Sequence, residues 1–293
     1  MVGHGQDRPI MPIGLVEKLR GIIEDGTQGA QAKWLEPKMW LSKSTIGTVL
    51  RCEGQLVADR STPRNGTLHP ATATGIVAHR AIALAHTHPA LSIGECVEAA
   101  RVAAMSEDSF AQFWNSADLA SQSDLIGASV SKTAVFLDSF PPLAVAWTPR
   151  FEEQIQAQIG KLLLSTKPDF VLGRPHGDGR QTMFLADMKT GGLNEEHEHE
   201  AMFYALVATL RFGIAPWRSV VYSLASGEWT PPDVTKPRLI EAAERVVAAV
   251  KSISDVMTDA RPPLLSTGRW CTWCPAAATC PAVLAEAEAE AGA

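Results

Sequence analysis

KPDFVLGRPHGDGRQTMFLADMKT, residues 167–190, is the stretch that decides the fold. An apolar run, DFVLG, is followed by the turn-forming PHGDGR and a second apolar run, QTMFLADMKT. Strand, glycine-rich turn and strand make a β-hairpin with its turn near Gly177–Gly179. Side chains alternate across a strand, so Asp187 and Lys189, two apart, emerge on one face. An acid and an amine on an otherwise apolar strand need a reason, because burying either alone is costly. Asp169 opens the first strand, and the hairpin brings it beside the second. Two carboxylates and one ammonium in a small volume favour a hard divalent cation held through oxygen. A lysine beside them can position or activate a water for attack on a phosphodiester.

Working outward, MPIGLVEKLRGIIED (11–25) predicts an amphipathic helix, and LSKSTIGTVLRC (41–52) a short one with Ser42 or Ser44 as N-cap, ending near Cys52. Residues 60–75, rich in Pro, Gly and Thr, are expected as a loop, and 75–88 as a helix. The pattern stays helical from 91 to 138, with polar breaks around Ser106 and Ser121–Asp124. PPLAVAWTP (141–149) alternates and predicts a strand; 151–165 fits either a strand or a helix. After the hairpin come a long helix at 195–213 closed by Gly213 and Pro216, a strand within 218–229, an amphipathic helix at 239–257 and a short acidic helical tail. Neither an internal repeat nor a dividing linker occurs. The expectation is one α/β domain over 1–293, with a helical lead (1–40), a helical insertion (80–140), a catalytic core (141–229) and a cysteine segment (264–281).

Composition narrows the function classes. Of 293 residues, 46% are hydrophobic and 20% charged, which excludes wholesale disorder. The net charge of −6 argues against coating nucleic acid by bulk charge, though not against a local basic groove. No apolar run reaches the ~18 residues of a membrane span. MVGHGQDRPIMPIG has neither the basic nor the apolar part of a secretory signal, so a cytoplasmic location is expected. In such a reducing compartment the clustered thiols read as metal ligands rather than disulfides. Cys271, Cys274 and Cys280 form a C-x2-C-x5-C run in RWCTWCPAAATCP, and a fourth ligand would come from Cys52 or Cys96.

Four motifs follow one another from about residue 42 to 281. An S-x-S helix leads into Cys52; Gly75-Ile-Val-Ala-His79 follows; Pro168-Asp169 precedes Asp187-Met188-Lys189; Glu200-Ala-Met-Phe-Tyr204 lies on the next helix, ahead of the C-terminal cysteines. In this order the chain resembles the PD-(D/E)XK nuclease superfamily, and more narrowly its RecB-like iron–sulfur branch, the AddB-type nucleases and the RecB-like CRISPR-associated exonucleases. It departs from the pattern at Glu200, where glutamine is usual, at Glu53, where proline is usual, and at Thr48, where an aromatic is common.

The resemblance implies a restriction-endonuclease-like core: a mixed central β-sheet flanked by helices, with a helical insertion and a C-terminal cysteine staple. It makes His79, Asp169 and Asp187 ligands of Mg²⁺ or Mn²⁺, with the Met188 carbonyl a further one. Lys189 would orient the attacking water, and Tyr204 and Glu200 would contact the nucleic-acid strand or buttress the lysine. Cys52, Cys271, Cys274 and Cys280 would hold a [4Fe-4S] cluster, with zinc as the alternative occupant. Such a link closes a loop of more than two hundred residues, worth about 4–5 kcal/mol if it acts like a disulfide. The implied activity is a DNA nuclease, an exonuclease acting on single strands or duplex ends. The implied partners are DNA and a recombination or CRISPR-adaptation protein. The alternative is a non-cleaving DNA-binding module of the same fold.

Plainer expectations cover the rest. His197 and His199, and likewise His86 and His88, read as solvated helix residues. Cys96 reads as a small buried hydrophobe, Glu152 and Glu153 as surface charges with lining of the site as the alternative, PHGDG as a turn, and Trp270 and Trp273 as shields of the cysteines with stacking on single-stranded bases as the alternative.

Overall fold

The computed structural model describes residues 8–62, 68–140, 143–231 and 233–291. Part of the loop expected at 60–75, and Pro141 and Pro142 of the expected strand, lie outside the described residues. The chain runs α1 (Leu15–Lys33), β1 (Met39–Leu41), α2 (Lys43–Arg51), α3 (Glu53–Ser61), α4 (Pro70–Thr87), α5 (Ile93–Ala104), α6 (Asp108–Ser116), α7 (Leu119–Ser139), β2 (Arg150–Phe151), β3 (Ile155–Ile159), β4 (Leu162–Thr166), β5 (Phe170–Leu172), β6 (Phe184–Lys189), α8 (Glu195–Phe212), β7 (Arg218–Ser223), α9 (Lys236–Met257) and α10 (Pro281–Ala291).

The mixed β-structure flanked by helices that the resemblance implies is present, divided into two mixed sheets. One has the order β1-β4-β3 and the other β2-β5-β6-β7. The expected hairpin is β5 and β6, antiparallel, and β7 adds parallel to β6. Helix α8 explains the division. Its residues 201–210, AMFYALVATL, are buried without a break, so this part of the helix has no solvent face and packs on strands of both sheets. A helix, not a continuous sheet, holds the centre. α1 packs along α9, burying Leu15, Leu19, Ile23 and Thr27 at four-residue spacing.

The other face of the second sheet is covered by α4 and α7 through an aromatic cluster. Phe136 and Phe140 stack with centroids 4.9 Å apart and meet Phe170 edge-on at 5.7 and 5.3 Å. Helices α4–α7 form a smaller core of their own around Val77, Val97 and Phe110.

Three local expectations change. The segment expected as a strand at 141–149 has a 3₁₀ turn at Val145–Trp147, and Thr148 is left-handed at φ 47°. Its alternation does not mark two sheet faces, because Val145 is 89% exposed. Ser121–Asp124 lies inside α7; the break falls earlier, where Asp118 accepts the Ser121 N–H at 2.8 Å. Helix α4 starts at Pro70, a favourable first-turn residue, so the loop before it ends sooner than expected. Residues 151–165, open in the sequence, supply β3 and β4, paired antiparallel about Gly160 at φ 56°. Among the described residues, no helix is long and apolar enough to cross a membrane.

Candidate active site and cysteine pocket

The β5–β6 register pairs Phe170 with Ala186; extended by one residue, it sets Asp169 across from Asp187. Opposite residues of an antiparallel pair lie on one face, within reach of each other. Phe184, Ala186 and Met188 turn into the aromatic cluster, while Leu185 joins the core around α8. Alternation therefore directs Asp187 and Lys189 toward α8. At the C-terminal end of β6, α4 approaches from one side and α2 and α8 from the other.

Helix α4 brings His79, whose Nδ1 lies 3.1 Å from Asp169 Oδ1. Gly75, one turn earlier, permits that approach: a Cβ there would lie 3.3 Å from the Thr190 side chain, just past the β6 lysine. The other Asp169 oxygen accepts the Met188 N–H. Burial would lower the His79 pKa, but Asp169, with help from Asp187 and Glu152, outweighs it and leaves the imidazole raised. His79 Nε2 is buried and finds no partner among the described residues.

On the α8 side, Lys189 Nζ lies 2.9 Å from both Asp187 Oδ2 and Glu200 Oε2. Tyr204, only 2% exposed, donates its hydroxyl to Asp187 Oδ1 at 2.6 Å. That burial closes off the expected strand contact, and the phenol holds the carboxylate rather than the lysine. A residue that the sequence reading missed completes the group. Lys43, in the first turn of α2, donates to Asp187 Oδ1 at 2.7 Å, lies 3.2 Å from Glu200 Oε2 and sits 4.9 Å over the Tyr204 ring. Its only sequence cue is its place between Ser42 and Ser44, and Ser42 caps α2 by accepting the Thr45 N–H at 3.2 Å.

Burial alone would push the Asp187 carboxyl up; the Lys43 and Lys189 ammonium groups overcome this and hold it far below the usual carboxylate range. Lys189 is held correspondingly high: burial disfavours its charge, but Asp187 and Glu200 outweigh burial. Burial, reinforced by Asp187, keeps Tyr204 protonated well above the usual phenol range.

A groove of about 550 Å³ runs past His79, Met188 and Lys189, walled by Arg80 and Lys167. A second, of about 390 Å³, shares His79, Arg80 and Glu152 and reaches Asp169. Glu152 is thus a groove residue; its φ is 51°, its N–H donates to the Asp169 carbonyl at 3.0 Å, and its carboxylate pairs with Lys167 at 2.7 Å. Glu153 instead pairs with Arg150 at 2.6 Å. His197 closes a capping box with Asn194 at the start of α8, and Cys96 is buried in α5, its thiol pKa raised by burial.

In kind, the donors suit a hard divalent cation: an imidazole nitrogen without a partner, two carboxylates and a backbone carbonyl. Asp187 Oδ1 accepts from Lys43, whereas Oδ2 lies 2.9 Å from Lys189 yet has no hydrogen-bond partner among the described residues, and among those residues no three His, Cys, Asp or Glu side chains converge closely enough to hold a metal ion.

The cysteine pocket lies elsewhere. Cys52, at the junction of α2 and α3, and Cys271, Cys274 and Cys280 line one cavity of about 290 Å³. Cys52 is buried, while the other three are partly exposed around two 3₁₀ turns. Four thiols at one cavity have the number and type that an iron–sulfur cluster or tetrahedral zinc requires. Trp270 lines the cavity; Trp273 does not and is 69% exposed, so only the first is placed to shield it. Glu53, in the usual proline position, grips Arg261 through contacts of 2.6 and 2.7 Å and accepts the Leu264 N–H at 2.8 Å. The Arg261 contacts lead the causes that bring its carboxyl down to about 2.

The sequence model of the PD-(D/E)XK nuclease superfamily matches residues 41–281, a span that includes both the active-site group and the four cysteines. No curated protein matches the chain.

Proposed function

The chain belongs to the PD-(D/E)XK nuclease superfamily, whose members are mostly nucleases, typically dependent on Mg²⁺ or Mn²⁺; from that premise we propose that it is a metal-dependent deoxyribonuclease acting exonucleolytically on single strands or duplex ends. The observation that carries the reading is the meeting of His79, Asp169, Asp187 and Lys189 at the end of β6, beside two grooves.

His79, Asp169 and Asp187, with the Met188 carbonyl, would hold the Mg²⁺ or Mn²⁺ ion. When bound, the ion supplies positive charge to the scissile phosphate and makes its water more acidic. Lys189, fixed between Asp187 and Glu200 and lining the larger groove, directs a proton donor toward the attacking water and the phosphate oxygens, where negative charge develops. Tyr204 keeps Asp187 in place. Arg80 and Lys167, on the groove wall, are the candidate contacts for the strand's phosphates.

The cysteine pocket supports the finer assignment to the RecB-like iron–sulfur branch. Its four thiols would hold a [4Fe-4S] cluster, with zinc as the alternative; broad absorbance near ~400 nm in anaerobically purified protein separates the two. A cluster there would be structural, tying α2 to the C-terminal segment. A recombination or CRISPR-adaptation protein is the proposed partner.

The test is release of nucleotides from end-labelled single-stranded DNA with Mn²⁺, by the wild type beside Lys189→Ala and Asp187→Ala. The wild type is expected to degrade the strand and both variants to lose at least about a hundredfold in rate. Equal release by all three overturns the assignment. The pairing of Asp187 with two lysines favours a second reading, a non-cleaving DNA-binding module. Tight binding without release selects it.

A further inference from the structure

We infer that Lys43 and Glu200 are a coupled pair of positioning residues that sets how tightly the site takes its divalent cation: Lys43 competes with the cation for Asp187, and Glu200 draws Lys43 away. This deepens the nuclease reading and rests on it.

The charge balance supplies the first argument. Asp187 and Glu200 carry two negative charges; Lys43 and Lys189 carry two positive ones, all within contact distance. The group is neutral only because an acid stands at 200 and a lysine at 43. With glutamine at 200 and Lys43 retained, a buried excess of one positive charge would face the incoming cation. With Lys43 removed and Glu200 retained, the excess would be negative.

Geometry supplies the second. Asp187 Oδ1 already receives Lys43 at 2.7 Å and Tyr204 at 2.6 Å, and Oδ2 faces Lys189 at 2.9 Å. Oδ2 has no hydrogen-bond partner among the described residues, so a cation has a free oxygen to approach, but the Lys43 ammonium on Oδ1 opposes it and must give way before both oxygens can serve. Lys189 comes from the same strand as Asp187, whereas Lys43 reaches in from α2 on a flexible stem. Lys43 also has somewhere to go. A cavity of about 20 Å³, the size of one water, lies beside it, walled by Glu196, His199 and Glu200 and also by Arg245, whose charge is paired with Glu196 at 3.2 Å. Glu200 Oε2, 3.2 Å from the ammonium, borders both positions. Electrostatics and competition thus give the same sign: losing Lys43 tightens cation binding, and losing the Glu200 charge weakens it.

Calorimetric titration of Mn²⁺ into the full-length protein, without DNA, tests this on wild type, Lys43→Met, Glu200→Gln and the double variant, each checked by its melting curve. Lys43→Met is expected to lower the Mn²⁺ Kd about tenfold and Glu200→Gln to raise it about tenfold. The double variant, again neutral, is expected to return to within about threefold of wild type. A merely structural role would not give opposite shifts that cancel. Because the double variant preserves charge balance, it tests the pairing even if one single variant fails to fold. Wild type that binds no Mn²⁺ overturns the nuclease reading as well. Wild type that binds while the variants show no opposite, cancelling shifts overturns this inference alone.

Discussion

The end of β6 and the cysteine pocket are both places where distant parts of the chain meet, but they are held differently. At β6 the meeting residues stand on strands and helices, and two ion pairs and the Tyr204 hydrogen bond hold Asp187 from three sides. At the cysteine pocket one wall is the firm α2–α3 junction and the other is two 3₁₀ turns with no buried residue. The second wall is hung on Glu53, which grips Arg261 and Leu264, and on the Ser266 hydroxyl, which donates to the Arg51 carbonyl. The active-site frame is thus part of the core, whereas the cysteine wall depends on a few polar hooks and on whatever links its thiols.

The largest effect is expected at the core site. Asp187→Ala leaves two ammonium groups crowded without their carboxylate, which should cost about 3–5 kcal/mol of global stability, read as a lowered denaturation midpoint. A variant as stable as wild type would mean the ion pairs do not brace the fold. Cys52→Ser should act locally. Trypsin is expected to cut after Arg269, ahead of Trp270, about tenfold faster while the core melts almost unchanged; no change in cutting would show that the thiols link nothing.

The smallest effect belongs to the Glu53 hook. Its carboxyl is held at about 2 against an ordinary 4.5, so its contribution is complete above pH 4.5 and drains away as the pH falls toward 2. Glu53→Gln should cost about 1 kcal/mol near neutrality, Arg261 being one-third exposed. It should also flatten the acid-induced rise in proteolysis of the 261–291 segment, followed with an acid-active protease between pH 5 and pH 3. An unchanged acid profile would remove Glu53 from the account.

Much of the candidate active site was legible in the sequence because strand alternation is short-range. Asp187 and Lys189 must share a face, and the glycine-rich turn fixes which residues lie opposite them. The place of His79 was legible only through the Gly75 motif, since nothing local indicates that α4 closes on β6. Lys43 was not legible: a lysine between two capping serines reads as a solvated first-turn residue until α2 is seen against α8. The alternating 141–149 segment misled because the 3₁₀ turn at Val145–Trp147 can mimic the period of a strand. The division of the mixed sheet into two was not legible, because the run 201–210 of α8 can be recognised as buried, but not as lying between two sheets.

The central claim is that His79, Asp169, Asp187 and Lys189 form one metal-dependent hydrolytic site. The most direct measurement compares the rate of Mn²⁺-dependent release of nucleotides from single-stranded DNA by wild type and by Asp169→Asn, with EDTA as the blank. The wild type should cleave with Mn²⁺ and stop in EDTA, and the folded Asp169→Asn should stay near the blank. Cleavage that persists in EDTA, or an Asp169→Asn protein that cleaves like wild type, would contradict it.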